Sequence, residues 1–170
     1  MRSRPGGWKP GGAWDCTDFF GWGRCCSRAA STRRERWPSG STAQLRDQFD
    51  QKAFEKLGEW FAAGIGNWAH ADVLCGEVIA PLLGSGRIEL EALRRWRESQ
   101  FKYQRRAVPV AMLGLLPSTR DVGPLLEFLR PLMMDPERVV QQGLGWFLRE
   151  TWKKHPRPVE AFLLEWKERA

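Results

Sequence analysis

From Ala43 onward, apolar residues recur at three- and four-residue intervals almost without a break, the spacing of helices that bury one face. "TAQLRDQFDQKAFEKLGEWFAAG" predicts an amphipathic helix with Thr42 as N-cap and Gly64 as its stop, and "NWAHADVLCGEVIAPLL" a second one capped by Asn67. A shorter helix around "ELEALRRWRES" leads to "KYQRRAVPVAMLGLL", "DVGPLLEFLRPLM", "DPERVVQQGLGWFLRETWKK" and "RPVEAFLLEWKER". No segment alternates apolar and polar residues as a half-buried strand does. Gly, Pro and Asp mark turns of about two to six residues, short enough to make consecutive helices antiparallel neighbours. The fold class expected is therefore all-α, a HEAT-like α-solenoid of antiparallel helical pairs; an irregular helical bundle is the alternative.

Residues 1–42 break this pattern. They hold 7 of the 17 glycines, 4 of the 10 tryptophans and 3 of the 4 cysteines, with neither helical nor strand periodicity. They are expected to form a poorly ordered head before a helical domain at 43–170. A metal site on Cys16, Cys25 and Cys26 would need a fourth ligand and a Cys-x-x-Cys spacing that the stretch lacks, so no metal or other cofactor is expected. The chain has 170 residues, 42% apolar and 28% charged, and a net charge of +7. That charge is uneven, +5 over residues 1–42 and only +2 over 43–170. A nucleic-acid-binding body would thus need a local basic stripe rather than a strong overall field. The longest nearly apolar run, "AVPVAMLGLLP", is too short for a bilayer span, and the start has no export signal. A cytoplasmic protein without membrane attachment, and a monomer, is the expectation.

Three helices carry candidate chemistry. Ala71, Leu74, Cys75, Val78 and Leu82 fall on one face of the helix beginning at Asn67, and Trp68 and Asp72 lie about 40° apart at its edge. A carboxylate among apolar neighbours loses solvation unless a cation or donors compensate, so Asp72 is either a structural tie or a functional acid. In "QRRAVP", Arg106 rather than Arg105 shares the face of Val110 and Leu113. It can pair with Asp72 or grip a phosphate with its forked donors, and Pro109 is expected to kink its helix. In the helix after Asp135, Val140, Gly143, Leu144, Phe147, Leu148 and Thr151 form the inward stripe. Trp146 stands outside it with Gln142, Arg149, Glu150 and Lys153, either touching the sugar or base of a ligand or packing on a further helical pair. Arg149 and Glu150 are also expected to brace neighbouring helices. Neither His70 nor His155 has a partner at a telling spacing.

The Trp-x-x-x-Asp of "NWAHADVLC", the "RRA" of "YQRRAVPV" and above all "VVQQGLGWFLRETWKKHPRPVEAFL" resemble the AlkD-like DNA alkylation repair glycosylases, a family of HEAT-like repeat proteins, over roughly Ala43 to Ala170. The resemblance implies that Asp72 is the catalytic carboxylate, that Trp68 and Trp146 wall the cleft, and that Arg106 helps fix the DNA backbone. It further implies excision of cationic N3- and N7-alkylated purines from duplex DNA while the lesion stays stacked. The family's N-terminal helices have no counterpart in residues 1–42, so the resemblance implies an enzyme truncated at the N-terminus, with a catalytically weak or inactive member as the alternative.

A single carboxylate suits that chemistry. Breaking an N-glycosidic bond develops positive charge on the sugar, and an already cationic purine departs without a general acid. A carboxylate about 4 Å away stabilises that charge by roughly 1 kcal/mol in water but by about 4 kcal/mol at an effective dielectric near 20, so aromatic walls that exclude solvent matter. On this reasoning Arg106 is expected to engage phosphate rather than Asp72, since a tight internal pair would neutralise the site. Two other functions fit the same residues: a non-catalytic DNA-binding module using Arg106, Arg149, Lys153 and Lys154, and a protein-binding solenoid.

Overall fold

The computed structural model describes residues 51–167, so the head, its cysteines and the Thr42 cap lie outside the described residues. Within them the chain is helical throughout: α1 (Gln51–Ala63), α2 (Trp68–Leu74), α3 (Ala80–Gly84), α4 (Arg94–Arg97), α5 (Lys102–Met112), α6 (Gly123–Leu129), α7 (Arg138–Trp152) and α8 (Pro156–Leu164). Short 3₁₀ turns extend α5 and α6 and precede α4. The all-α expectation holds.

The punctuation read from sequence does its expected work. Gly64 ends α1 with φ 136°, a conformation that costs glycine little. Asn67 starts α2, its side-chain oxygen accepting from the Ala69 N–H at 2.8 Å. Between α2 and α3 the helix does not stop but widens into a π turn, Cys75–Ile79. That extra residue rotates the later side chains. The expected stripe of Ala71, Leu74, Cys75, Val78 and Leu82 is buried, and Ile79 and Leu83 join it, which a regular 3.6-residue period would place well off the face.

The centre of the body is α5. Ala107 through Met112, Pro109 included, are all buried, and the helix packs chiefly against α7, then against α2 and α4. Pro109 does not end it: the α-helix runs on to Met112 before tightening into a 3₁₀ turn at Leu113–Leu115. The α5–α7 approach is close because residue 143 is glycine. A Cβ there would lie 3.1 Å from Arg106 Cγ and 3.3 Å from its carbonyl oxygen. The stripe expected of α7, from Val140 to Thr151, is buried as anticipated. At the other side of α5, Trp96 stacks on Phe54 with centroids 4.7 Å apart and meets Phe61 edge-on at 5.1 Å, closing α1 over α4.

Candidate active site

Asp72 lies in the second turn of α2 and Arg106 in the second turn of α5, and the packing of these helices brings the two side chains together. Arg106 Nε donates to Asp72 Oδ1 at 2.9 Å and Nη2 to Oδ2 at 2.7 Å, a two-bond fork. Its remaining nitrogen, Nη1, donates to the Val139 carbonyl in the first turn of α7 at 2.7 Å. One guanidinium thus ties three helices. The Arg106 side chain is only 7% exposed and Asp72 15%, so the acid forms the outer end of the pair.

This corrects the sequence expectation for Arg106. Its donors face inward, and it is not available as a DNA-backbone contact. The physical reason is burial: enclosed between α2 and α7, an arginine without an anion would keep an uncompensated charge, which costs several kcal/mol, roughly 3–5 when one partner of such a pair is removed.

Trp68 opens α2 one turn before Asp72, and its ring centroid lies 6.0 Å from the Arg106 Cζ, at the outer limit of cation–π attraction. Trp68 is 57% exposed. Trp146 is 37% exposed. On α7 it follows Val139 by seven residues, two turns, about 10 Å along the axis from the carbonyl that holds Arg106. It borders the exposed strip of Arg138, Gln142, Gly145, Arg149 and Lys153.

Among the expected basic contacts, Arg149 and Lys153 both pair with Glu150, at 3.2 and 2.7 Å. These bonds stay within α7, so the expected bracing of neighbouring helices by Arg149 and Glu150 is not what the structure shows. The Lys153 ammonium, and after it the Arg149 guanidinium, hold the Glu150 carboxyl below the usual carboxylate range against a smaller upward push from desolvation. Lys154 is exposed and has no ion pair among the described residues.

Cys75, one turn after Asp72, is fully buried and donates its thiol to the Ala107 carbonyl at 3.4 Å. Burial, and then the nearby Asp72 carboxylate, push its thiol far above the ordinary range, which leaves it no nucleophilic role. His70 is exposed and His155 partly so, neither beside the acid pair's donors.

Sequence reasoning missed a second buried pair. Arg105, which the helical wheel turns away from Arg106, forks onto Asp135 just before α7, Nε to Oδ2 at 2.6 Å and Nη2 to Oδ1 at 3.2 Å. The signal was present in the adjacency of the two arginines: side chains about 100° apart on a central helix reach two different neighbours. Lys102 and Arg138 were also passed over. Both are exposed, Lys102 one turn ahead of Arg106 and Arg138 next to Val139, so each adjoins a residue of the tie. Lys102 shares its charge with Glu137 at 3.4 Å.

No group of three or more metal-ligating side chains converges among the described residues, and none of their helices is long and apolar enough to cross a membrane. Comparison with curated proteins and with solved structures gives no match. A family model described as "DNA alkylation repair enzyme" matches residues 39–170, which takes in Trp68, Asp72, Arg106 and Trp146 together. The chain therefore belongs to the DNA alkylation repair enzyme family, whose substrate is DNA.

Proposed function

We propose that the protein is a DNA glycosylase that hydrolyses the N-glycosidic bond of cationic N3- and N7-alkylated purines in duplex DNA. The observation that carries this reading is the orientation of the buried pair: Asp72 is its outward member, beside the exposed face of Trp68, and Arg106 is held behind it. A group arriving at the site meets the carboxylate first. As the C1′–N bond breaks, its electrons pass to the purine nitrogen and cancel the alkyl-induced charge. Positive charge grows at the sugar, water adds to C1′, and its proton passes to solvent.

The internal pair, expected from sequence to neutralise the site, weakens the acid's field without cancelling it. Both carboxylate oxygens point at the guanidinium, so a sugar cation approaches over the carboxylate's open face: about 4 Å from the acid and about 6 Å from the guanidinium carbon, it gains roughly 4 kcal/mol and loses roughly 3 at an effective dielectric of 20. About a quarter of the stabilisation survives. In return the fork fixes the carboxylate's plane, which preorganises it toward the sugar. Trp68 and Trp146 are the walls that keep solvent from this field, and Arg149, Lys153 and Lys154 contact phosphates. The helical pairs of the described residues form a HEAT-like solenoid that acts as a monomer.

The inward fork also favours a second reading, a DNA-binding member without catalysis, since every polar atom of the Asp72 carboxylate already has a partner in the resting protein. Incubating the full chain with methylated duplex DNA and measuring free 7-methylguanine decides between them. The glycosylase reading expects release that Asp72→Asn abolishes while DNA binding survives. Salt-steep binding with no base release from any alkylated substrate would establish the second reading instead.

A further inference from the structure

The two adjacent arginines of α5 do unlike work on the same target. Arg106 holds Asp72 and borrows its last acceptor from the Val139 carbonyl in the opening turn of α7. That turn starts weakly: its N-cap, Glu137, contributes no side-chain cap, and uncapped first turns fray. What fixes it comes from outside. Asp135 Oδ1 accepts from the Glu137 N–H at 2.9 Å, and the Gln141 amide reaches back to the carbonyls of Leu132, Met133 and Asp135 at 3.0 to 3.1 Å. Asp135 is itself held by the Arg105 fork, and Arg105 Nη1 is anchored on the Ser99 carbonyl at 2.8 Å. The Asp135 side chain is 6% exposed, less than that of Asp72.

We infer that Asp135 is a positioning residue for the Asp72–Arg106 pair: clamped by Arg105, it fixes the first turn of α7 so that the Val139 carbonyl holds Arg106 square to Asp72. The geometry is narrow. A hydrogen bond of 2.7 Å is lost within a few tenths of an ångström of drift beyond about 3.2 Å, and among the described residues Val139 is the acceptor for Arg106 Nη1. Once that tether goes, the guanidinium can rotate about its own bond to Asp72, and the carboxylate's plane rotates with it. The consequence for catalysis rests on the glycosylase reading; the consequence for Arg106 does not.

The test is therefore made in two arms on the full chain. In the first, hydrogen exchange of the Arg106 Nε–H is followed by nuclear magnetic resonance. Asp135→Ala should speed that exchange by about tenfold or more while core amides of α5 keep their protection, and Asp135→Asn, which keeps an oxygen for the Glu137 N–H, should fall between the two. Wild-type exchange at Arg106 in both variants, or a uniform loss of protection across all core amides, would overturn the inference. In the second arm, single-turnover release of 7-methylguanine should drop about tenfold in Asp135→Ala with an unchanged Kd for DNA, since orientation acts on the chemical step. A loss confined to Kd would also overturn it. If the native chain releases no base while the Arg106 signal responds as stated, the positioning role stands and the glycosylase reading falls.

Discussion

Replacing Asp72 by asparagine does more than remove a charge, because Arg106 stays behind it. In the native pair the acid contributes about 4 kcal/mol toward a sugar cation over its open face and the guanidinium takes back about 3, leaving about 1 at an effective dielectric of 20. In Asp72→Asn only the repulsion remains. The swing of about 4 kcal/mol corresponds to roughly a thousandfold loss of excision rate. Adding Arg106→Gln removes the repulsion as well, so the double variant sits about 1 kcal/mol below the native protein and recovers roughly 150-fold over the single variant. The double change also spares the fold an unpaired buried cation, which should show as a higher Tm than that of Asp72→Asn alone. The assay is single-turnover release of 7-methylguanine from methylated duplex under saturating protein, with thermal melts alongside. A double variant no faster than Asp72→Asn would refute the view that the pair acts through its field.

The glycines of α7 give opposite expectations. A Cβ at Gly143 meets Arg106 and Val110, whereas one at Gly145 meets nothing within 4 Å. Gly143→Ala should therefore cost about 1–3 kcal/mol in urea denaturation by forcing α7 off α5, and Gly145→Ala should gain about 0.5–1 kcal/mol from helix propensity. Glu150→Gln should tighten DNA binding about two- to fivefold by freeing Arg149 and Lys153 from an exposed pair. Because those cations keep the Glu150 carboxyl below its usual range, the acid stays charged through mildly acidic pH. The gain should accordingly be the same at pH 5.5 and 7.5 in fluorescence anisotropy, and the pairing should be lost only as pH falls through that lowered value. In a background with Cys16, Cys25 and Cys26 replaced by serine, Cys75 should label with a thiol reagent only at the rate of global unfolding, since the thiol is enclosed and its ionisation suppressed.

Periodicity was enough for the fold because the buried faces are regular. The α7 stripe from Val140 to Thr151 and the stripe from Ala71 in α2 to Leu82 in α3 are read directly from spacing. It failed where the spacing itself changes: the π turn at Cys75–Ile79 carries no residue type that announces an added residue, so Ile79 and Leu83 were not assigned to the core. The site was legible as a set of positions outside the apolar stripes. Its wiring was not. A helical wheel gives Arg106 a direction, but the choice between phosphate and Asp72 depends on the distance between α2 and α5, which no single-helix pattern contains. The Arg105–Asp135 clamp was hidden for the same reason, as a pairing across 30 residues.

Helix α5 is walled in by its neighbours from Ala107 to Met112, and that enclosure governs how the protein can fail. A reactive group on a surface loop can be lost to local melting while the remainder endures. Here, with the Asp135 clamp in place, Arg106 leaves its acid only when the central rod itself is uncovered. Heat should accordingly extinguish the site and the tertiary structure at one temperature, with no warmed, intact but incompetent form in between.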